Sequence, residues 1–219
     1  MALDFYHGHG SPYSWRVWLA LEHKGIPYNL KVLSFAAGDT TKPEFVAINP
    51  RHQVPTIVDD GYALWESAAI LEYLEERFPA ASNPAGSLLP GDVRNRGRIR
   101  RLGREAEMYL GVEGIGPVTE EYFFKGDAAP DEKRVHAARE VIGRELKMLA
   151  GELRGKFLAG DSPTLADFML YPHLAYVGRI NFRKPESKLA ELEPAAIKEY
   201  RKHFEALPYF DKTFPPHWK

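Results

Sequence analysis

Residues 6–18 read YHGHGSPYSWRVW, with two tyrosines, two serines and two histidines where an apolar start passes into an amphipathic run. Ser11 followed by Pro12 is a helix N-cap followed by proline at the first helical position, a pairing that backbone geometry explains by itself. A hydroxyl at that place has a second use, because helix N-termini favour anions and can place a donor on one. His7 and His9 are two apart and would share one face of a strand, as metal ligands do. No third ligand follows at a recognisable spacing, so no metal is expected.

The elements that must hold these residues fall into two halves. Residues 2–6 and 28–35 read as short strands, and between them SPYSWRVWLALEHKG places Val17, Trp18 and Leu21 on helical spacing, with Gly25 as a stop. Further on, VPTIVDDGYALWES predicts two strands joined by a two-residue turn at Asp60-Gly61. The following SAAILEYLEERF predicts a helix whose apolar stripe is Ala69, Ile70, Tyr73 and Leu74. This half is therefore βαβ, a connection, then ββα. Residues 79–92, PAASNPAGSLLPGD, form a linker without periodicity. Beyond it, helical spacing is expected over 92–113, about 131–155, 164–180 and 186–206, as in Val135, Ala138, Ile142, Leu146, Leu149 and Leu153. The predicted organisation is an α/β domain over 1–80, a linker over 81–91 and an all-helical domain over 92–219.

Composition narrows the chemistry. The 219 residues carry 29 basic and 30 acidic side chains, so no bulk charge draws the chain to nucleic acid or to an anionic membrane. Arg94, Arg96, Arg98, Arg100, Arg101 and Arg104 wrap one predicted helix with Glu105 and Glu107 close behind, which suits a solvated face or pairing across a homodimer. There is no cysteine, and any sulfur chemistry must use sulfur from a ligand. No basic-then-apolar leader or long apolar span is recognised, so a cytoplasmic protein is expected.

KPEFVAINPRHQVPTIVDDGYALWESAAILEYLEE at 42–76 and FLAGDSPTLADFMLY at 157–171 resemble the soluble glutathione S-transferases, and the resemblance covers essentially the whole chain. The first stretch is similar to theta- and delta-like classes, whereas SWRVWLALEHKGIPY at 14–28 leans toward the zeta class. The resemblance implies a thioredoxin-like N-terminal domain, an all-helical C-terminal domain, glutathione as co-substrate and a homodimer. It also implies the site. Ser11 stands where the serine-using classes carry the hydroxyl that stabilises the thiolate, and Tyr6 is its rival by analogy with tyrosine-using classes. A cis-proline at Pro55 would let the Val54 backbone pair with glutathione as an added strand. Glu66 suits the γ-glutamyl ammonium, and Ser67 with its helix N-terminus suits the carboxylate, unless Ser67 is only a cap. His52 and Gln53 are within reach of the tripeptide's backbone or glycine carboxylate, unless they are solvated loop residues.

The electrophile pocket is expected to draw on Tyr13, Met108, Tyr109, Tyr171 and Tyr176, each with an apolar body and, for the tyrosines, a polar tip. Thr40 replaces a histidine and Ala68 an arginine that many relatives carry. Thr164 to Asp167 read as a capping box, a folding determinant rather than a site. The implied activity is conjugation of ionised glutathione to small apolar electrophiles. Two alternatives stand beside it: a zeta-like cis-trans isomerase of a maleyl-type acid, suggested by SWRV although Ser-Pro-Tyr replaces the family's Ser-Ser-Cys before it, and a non-catalytic glutathione-binding module.

Overall fold

A computed structural model of the chain describes residues 3–79 and 86–218. It divides into two compact units, Met1–Leu89 with Pro208–Lys219, and Pro90–Leu207. The last twelve residues therefore belong with the first unit, whereas the sequence reading placed all of 92–219 in the helical domain. Residues 80–85 of the expected linker lie outside the described residues.

In the first unit, strands β1 (Leu3–His7), β2 (Tyr28–Val32), β3 (Thr56–Asp59) and β4 (Tyr62–Trp65) form one sheet in the order β2-β1-β3-β4. β1 runs parallel to β2 and antiparallel to β3, with Phe5 opposite both Leu30 and Ile57. β2 ends at Val32 rather than 35, because the chain turns there: the Ser34 N–H donates to Asp39 Oδ2 at 2.8 Å. Helix α1 (Pro12–Lys24) starts as expected at the Ser11 cap and stops at Gly25, which takes φ 65°. The β3–β4 turn places Asp60 at φ 49° and Gly61 at φ 85°, the two left-handed positions a tight hairpin needs.

Helix α2 (Pro43–Val46) brings Phe45 against Tyr6, while α3 (Ser67–Arg77) packs beside α1. The buried stripe of α3 is Ser67, Ile70, Leu71, Leu74 and Glu75. Ala69 is exposed, and Tyr73 instead reaches sideways to donate to Asp59 at 2.7 Å. Glu75 accepts from the Leu88 N–H at 2.9 Å and lies 2.6 Å from Lys24 Nζ, which ties α1, α3 and residues 86–89 together. The tail closes the unit. Helix α9 (Phe210–Thr213) sets Phe210 beside Trp15, whose indole N–H donates to Thr213 Oγ1 at 3.0 Å.

The second unit is helical. α4 (Val93–Glu105) is capped by Asp92 and continues as wide π-type turns over Ala106–Ile115, the short α5 (Gly116–Thr119) and a second π-type stretch, Glu120–Phe124. It thus runs past the expected end at 113. α6 (Glu132–Gly151) buries Val135, Ala138, Ile142, Leu146 and Leu149, while Leu153 lies beyond its end and is only half-buried. α7 (Leu165–Arg183) begins with the expected capping box of Thr164 and Asp167. The last expected helix is shorter: Lys188, at φ 50°, separates two 3-10 turns, and Pro194 precedes α8 (Ala195–Glu205). Gly111 lets α7 approach, since a Cβ there would stand 2.9 Å from the His173 ring. The arginine-rich helix is paired within the unit, with Arg98 and Arg101 both meeting Glu152 at 2.7 Å.

Candidate functional site

The sheet order assembles the site. Tyr6 pairs with Thr56, and Thr56 with Trp65, so three chain segments emerge at one end of the sheet: the exit of β1 toward Ser11, the entry to β3 at Val54, and the exit of β4 into Glu66 and Ser67. Gly8 makes the approach possible, because a Cβ there would stand 3.0 Å from the Val54 side chain and closer still to Phe35.

Gly8 to Ser11 is a tight turn. The Ser11 N–H donates to the Gly8 carbonyl at 3.2 Å, and Gly10 takes φ 89° at the third position. Ser11 Oγ accepts from the Ser14 N–H at 3.2 Å. Its own proton has no acceptor among the described residues, so a half-buried donor stands at the positive end of α1. Tyr6 lies on the other face of β1, against Phe45, and burial followed by the nearby Asp4 carboxylate raises its pKa above the usual phenol value.

Behind the turn, His7 Nδ1 lies 2.8 Å from Ser14 Oγ and His7 Nε2 lies 3.1 Å from His9 Nδ1. Burial, then the neighbouring His9, pushes the His7 pKa down to about 3. Burial, then His217, also lowers that of His9. Both shifts favour the neutral ring over the charged one. Among the described residues no group of three or more His, Asp or Glu side chains is arranged to hold a metal.

The Val54-Pro55 bond is cis. Val54 is half-buried, and its N–H and C=O make no hydrogen bond among the described residues. The loop is fixed by Asn49, a buried residue the sequence reading passed over, whose Nδ2 donates to the Gln53 carbonyl at 2.8 Å and to Thr56 Oγ1 at 3.0 Å. His52, at φ 58°, and Gln53 are both exposed.

Glu66 takes φ 69° and ψ 105°, a backbone state that costs a non-glycine residue about 1 to 3 kcal/mol. It, not Ser67, is the cap residue of α3, and it caps without a side-chain bond. Ser67 is instead the first helical residue. Its Oγ accepts from Arg16 Nη1 at 3.3 Å. Arg16 was also not foreseen; its guanidinium is fully buried and stacks 4.8 Å from the Tyr13 ring centroid. The only signal for it is a lone arginine within the otherwise apolar WRVWLAL run, whose partner is 51 residues away. Ser67 therefore stands between a helix N-terminus and a buried cation, a setting for a carboxylate.

The expected pocket residues divide. Tyr13 is half-buried in the first unit. In the second, Met108 and Tyr109 are exposed on the π-type segment, and Tyr176 is half-buried with its pKa raised by burial. Tyr171 is core: its ring stacks on Phe204 with centroids 4.1 Å apart, and its hydroxyl donates to Glu205 at 2.9 Å.

Two family patterns match the chain, the glutathione S-transferase N-terminal domain over residues 10–77 and the corresponding C-terminal domain over 118–208. Glutathione S-transferase D7 of Drosophila melanogaster is 30% identical over 183 residues, 82% of this chain and 77% of that protein. The crystal structure of a glutathione S-transferase from the Antarctic clam Laternula elliptica superposes with a TM-score of 0.81 at 28% identity, covering 100% of this chain and 94% of that one. A bacterial zeta-class glutathione S-transferase, maleyl pyruvate isomerase, superposes with a TM-score of 0.73 at 26% identity, over 97% and 96% of the two chains.

Proposed function

Since this chain belongs to the glutathione S-transferase family and is a glutathione transferase, we propose that Ser11 supplies the hydroxyl that stabilises the glutathione thiolate, and that the thiolate attacks small apolar electrophiles. The observation that carries this reading is the convergence of the segments bearing Ser11, the open Val54 backbone and the Ser67–Arg16 pair at one end of the sheet.

The cysteinyl part of glutathione pairs with the Val54 backbone as an added strand would. The γ-glutamyl carboxylate meets the α3 N-terminus, the Ser67 hydroxyl and the charge of Arg16, while the Glu66 carboxylate meets the ammonium. His52 and Gln53 serve the glycine end. The thiol ionises to solvent, the Ser11 O–H and the α1 dipole hold the sulfur as an anion, and that sulfur displaces a leaving group or adds to an electron-poor carbon. Tyr13, on the first turn of α1, is offered as an apolar contact for the electrophile. We further propose a cytoplasmic homodimer that uses no metal.

A second reading is isomerisation of a maleyl-type acid, in which glutathione adds and leaves. It is favoured by the SWRV run and by the likeness to maleyl pyruvate isomerase. The test is to titrate the protein with glutathione while following thiolate absorbance, then to assay a chloronitrobenzene and a cis-trans isomerisation substrate. A thiolate signal with chloronitrobenzene turnover supports conjugation. Isomerisation alone supports the second reading, and binding without a thiolate signal points to a non-catalytic module.

A further inference from the structure

The protons of the imidazole chain behind Ser11 follow by elimination. Ser14 is fully buried, and its Oγ accepts from the Gly8 N–H at 3.4 Å. Among the described residues, the acceptor available to the Ser14 proton is His7 Nδ1, and a buried hydroxyl left without an acceptor would be costly. Ser14 therefore donates to His7. A neutral His7 then carries its proton on Nε2 and donates it to His9 Nδ1. A neutral His9 must in turn carry its proton on Nε2, and that atom has no hydrogen-bond partner among the described residues. A buried serine thus sets, through two rings, a fixed N–H donor in the same four-residue turn as Ser11.

The ring that carries this donor is held in place. His9 lies with its centroid 4.8 Å from His7 and 6.0 Å from Trp18. His217, from the tail, borders the same turn, with its Nε2 3.0 Å from where a Gly10 Cβ would stand. An oriented donor of this kind does little for a displacement at a saturated carbon, where the departing halide is a weak hydrogen-bond acceptor. It is of use where negative charge grows on an oxygen.

Building on the transferase reading, we infer that His9 is a specificity-determining residue whose Nε2–H hydrogen-bonds the carbonyl oxygen of an α,β-unsaturated carbonyl substrate. In that reaction the glutathione sulfur forms a bond to the β-carbon, the carbon–carbon π bond breaks, and its electron pair moves toward the carbonyl oxygen to give an enolate. His9 remains neutral and donates to that oxygen. Water then protonates the α-carbon, restoring the carbonyl and balancing the proton that the thiol released.

The test compares two electrophiles at saturating glutathione: 4-phenylbut-3-en-2-one, which develops an enolate, and benzyl chloride, which does not. The measured quantity is the ratio of their kcat/KM values. His9→Leu should lower the enone-to-chloride ratio by about tenfold to a hundredfold, the worth of one hydrogen bond to a charged group. His9→Gln keeps an N–H donor and should recover part of the ratio. A general disturbance of the turn would lower both rates together. A ratio that changes less than threefold in His9→Leu, or a His9→Gln as poor as His9→Leu, overturns the inference. So does a wild-type protein that turns over the chloride and not the enone, with conjugation itself intact. Turnover of neither despite glutathione binding overturns the conjugation reading, and this inference falls with it.

Discussion

Arg16 donates to Ser67 across 3.3 Å, joining the middle of the first helix to the first residue of the third through two buried side chains. The bond uses a lone pair on Ser67 Oγ and leaves the hydroxyl proton to be donated to a ligand. It also places a positive charge directly behind that hydroxyl.

Ser67→Ala together with Glu66→Ala should abolish retention on a glutathione-affinity column, because the carboxylate and ammonium partners go together. Glu66→Gly refines the test, since glycine accepts the φ of 69° without strain while removing the carboxylate. It should be as stable as the wild type or more so, and should bind glutathione at least tenfold more weakly. Undiminished binding by Glu66→Gly would mean that Glu66 is present for its backbone alone.

His7 predicts an acid-side loss of stability. Its folded pKa of about 3 lies below the ordinary value of 6.5, so the unfolded chain takes up a proton that the folded one refuses. The stability that neutral His7 contributes is complete above about pH 6.5 and falls as pH drops from there toward 3, by about 1.4 kcal/mol per pH unit. Urea midpoints measured at pH 7 and pH 5 should differ more for the wild type than for His7→Gln. Equal differences would show that His7 is not held neutral.

Much of the fold was legible where its signals are local. Ser11-Pro12 and Gly25 mark both ends of one helix, Asp60-Gly61 marks the hairpin, and Thr164 with Asp167 marks α7, each through bonds spanning a few residues. What was not legible depends on partners far away in sequence. Phe210, Phe214 and Trp218 look like any apolar tail until their rings are found around Trp15. Arg16 and Asn49 have no local pattern of their own, and the Ser14–His7–His9 chain exists only once strand and helix are packed. The α3 stripe was misplaced for a related reason: Tyr73 is drawn off the apolar face by Asp59, and Glu75 is drawn onto it by Lys24.

Lys24 and Glu75 are 3% and 8% exposed, and removing one partner leaves the other charge buried. Lys24→Met should cost about 3 to 5 kcal/mol in urea unfolding. Adding Glu75→Gln to it should recover part of that loss, since no buried charge then remains and the amide oxygen still accepts from the Leu88 N–H. Proteolytic cleavage within 86–89 should be faster in the single variant than in the wild type. A cost below about 1 kcal/mol would place this pair with ordinary surface ion pairs.

Ser11 and Tyr6 offer the sharpest comparison. Ser11 Oγ receives the Ser14 N–H and keeps its proton for a ligand at the positive end of α1. Tyr6 faces the other side of β1 against Phe45. A hydrogen bond to a charged group contributes about 1.5 to 3 kcal/mol, and one pKa unit corresponds to about 1.4 kcal/mol. Ser11→Ala should therefore raise the pKa of bound glutathione by roughly one to two units, read from thiolate absorbance against pH. Turnover near neutral pH should fall about tenfold or more, with a much smaller change in glutathione affinity. Because the mutation also removes the cap of α1, a stability loss of about 1 kcal/mol should accompany it. Ser11→Gly separates the two effects, since glycine caps nearly as well as serine yet offers no hydroxyl. It should show the full thiol pKa shift with little loss of stability. If Tyr6→Phe shifts the thiol pKa while both Ser11 variants leave it in place, the thiolate is held from the β1 face and Ser11 serves the helix alone.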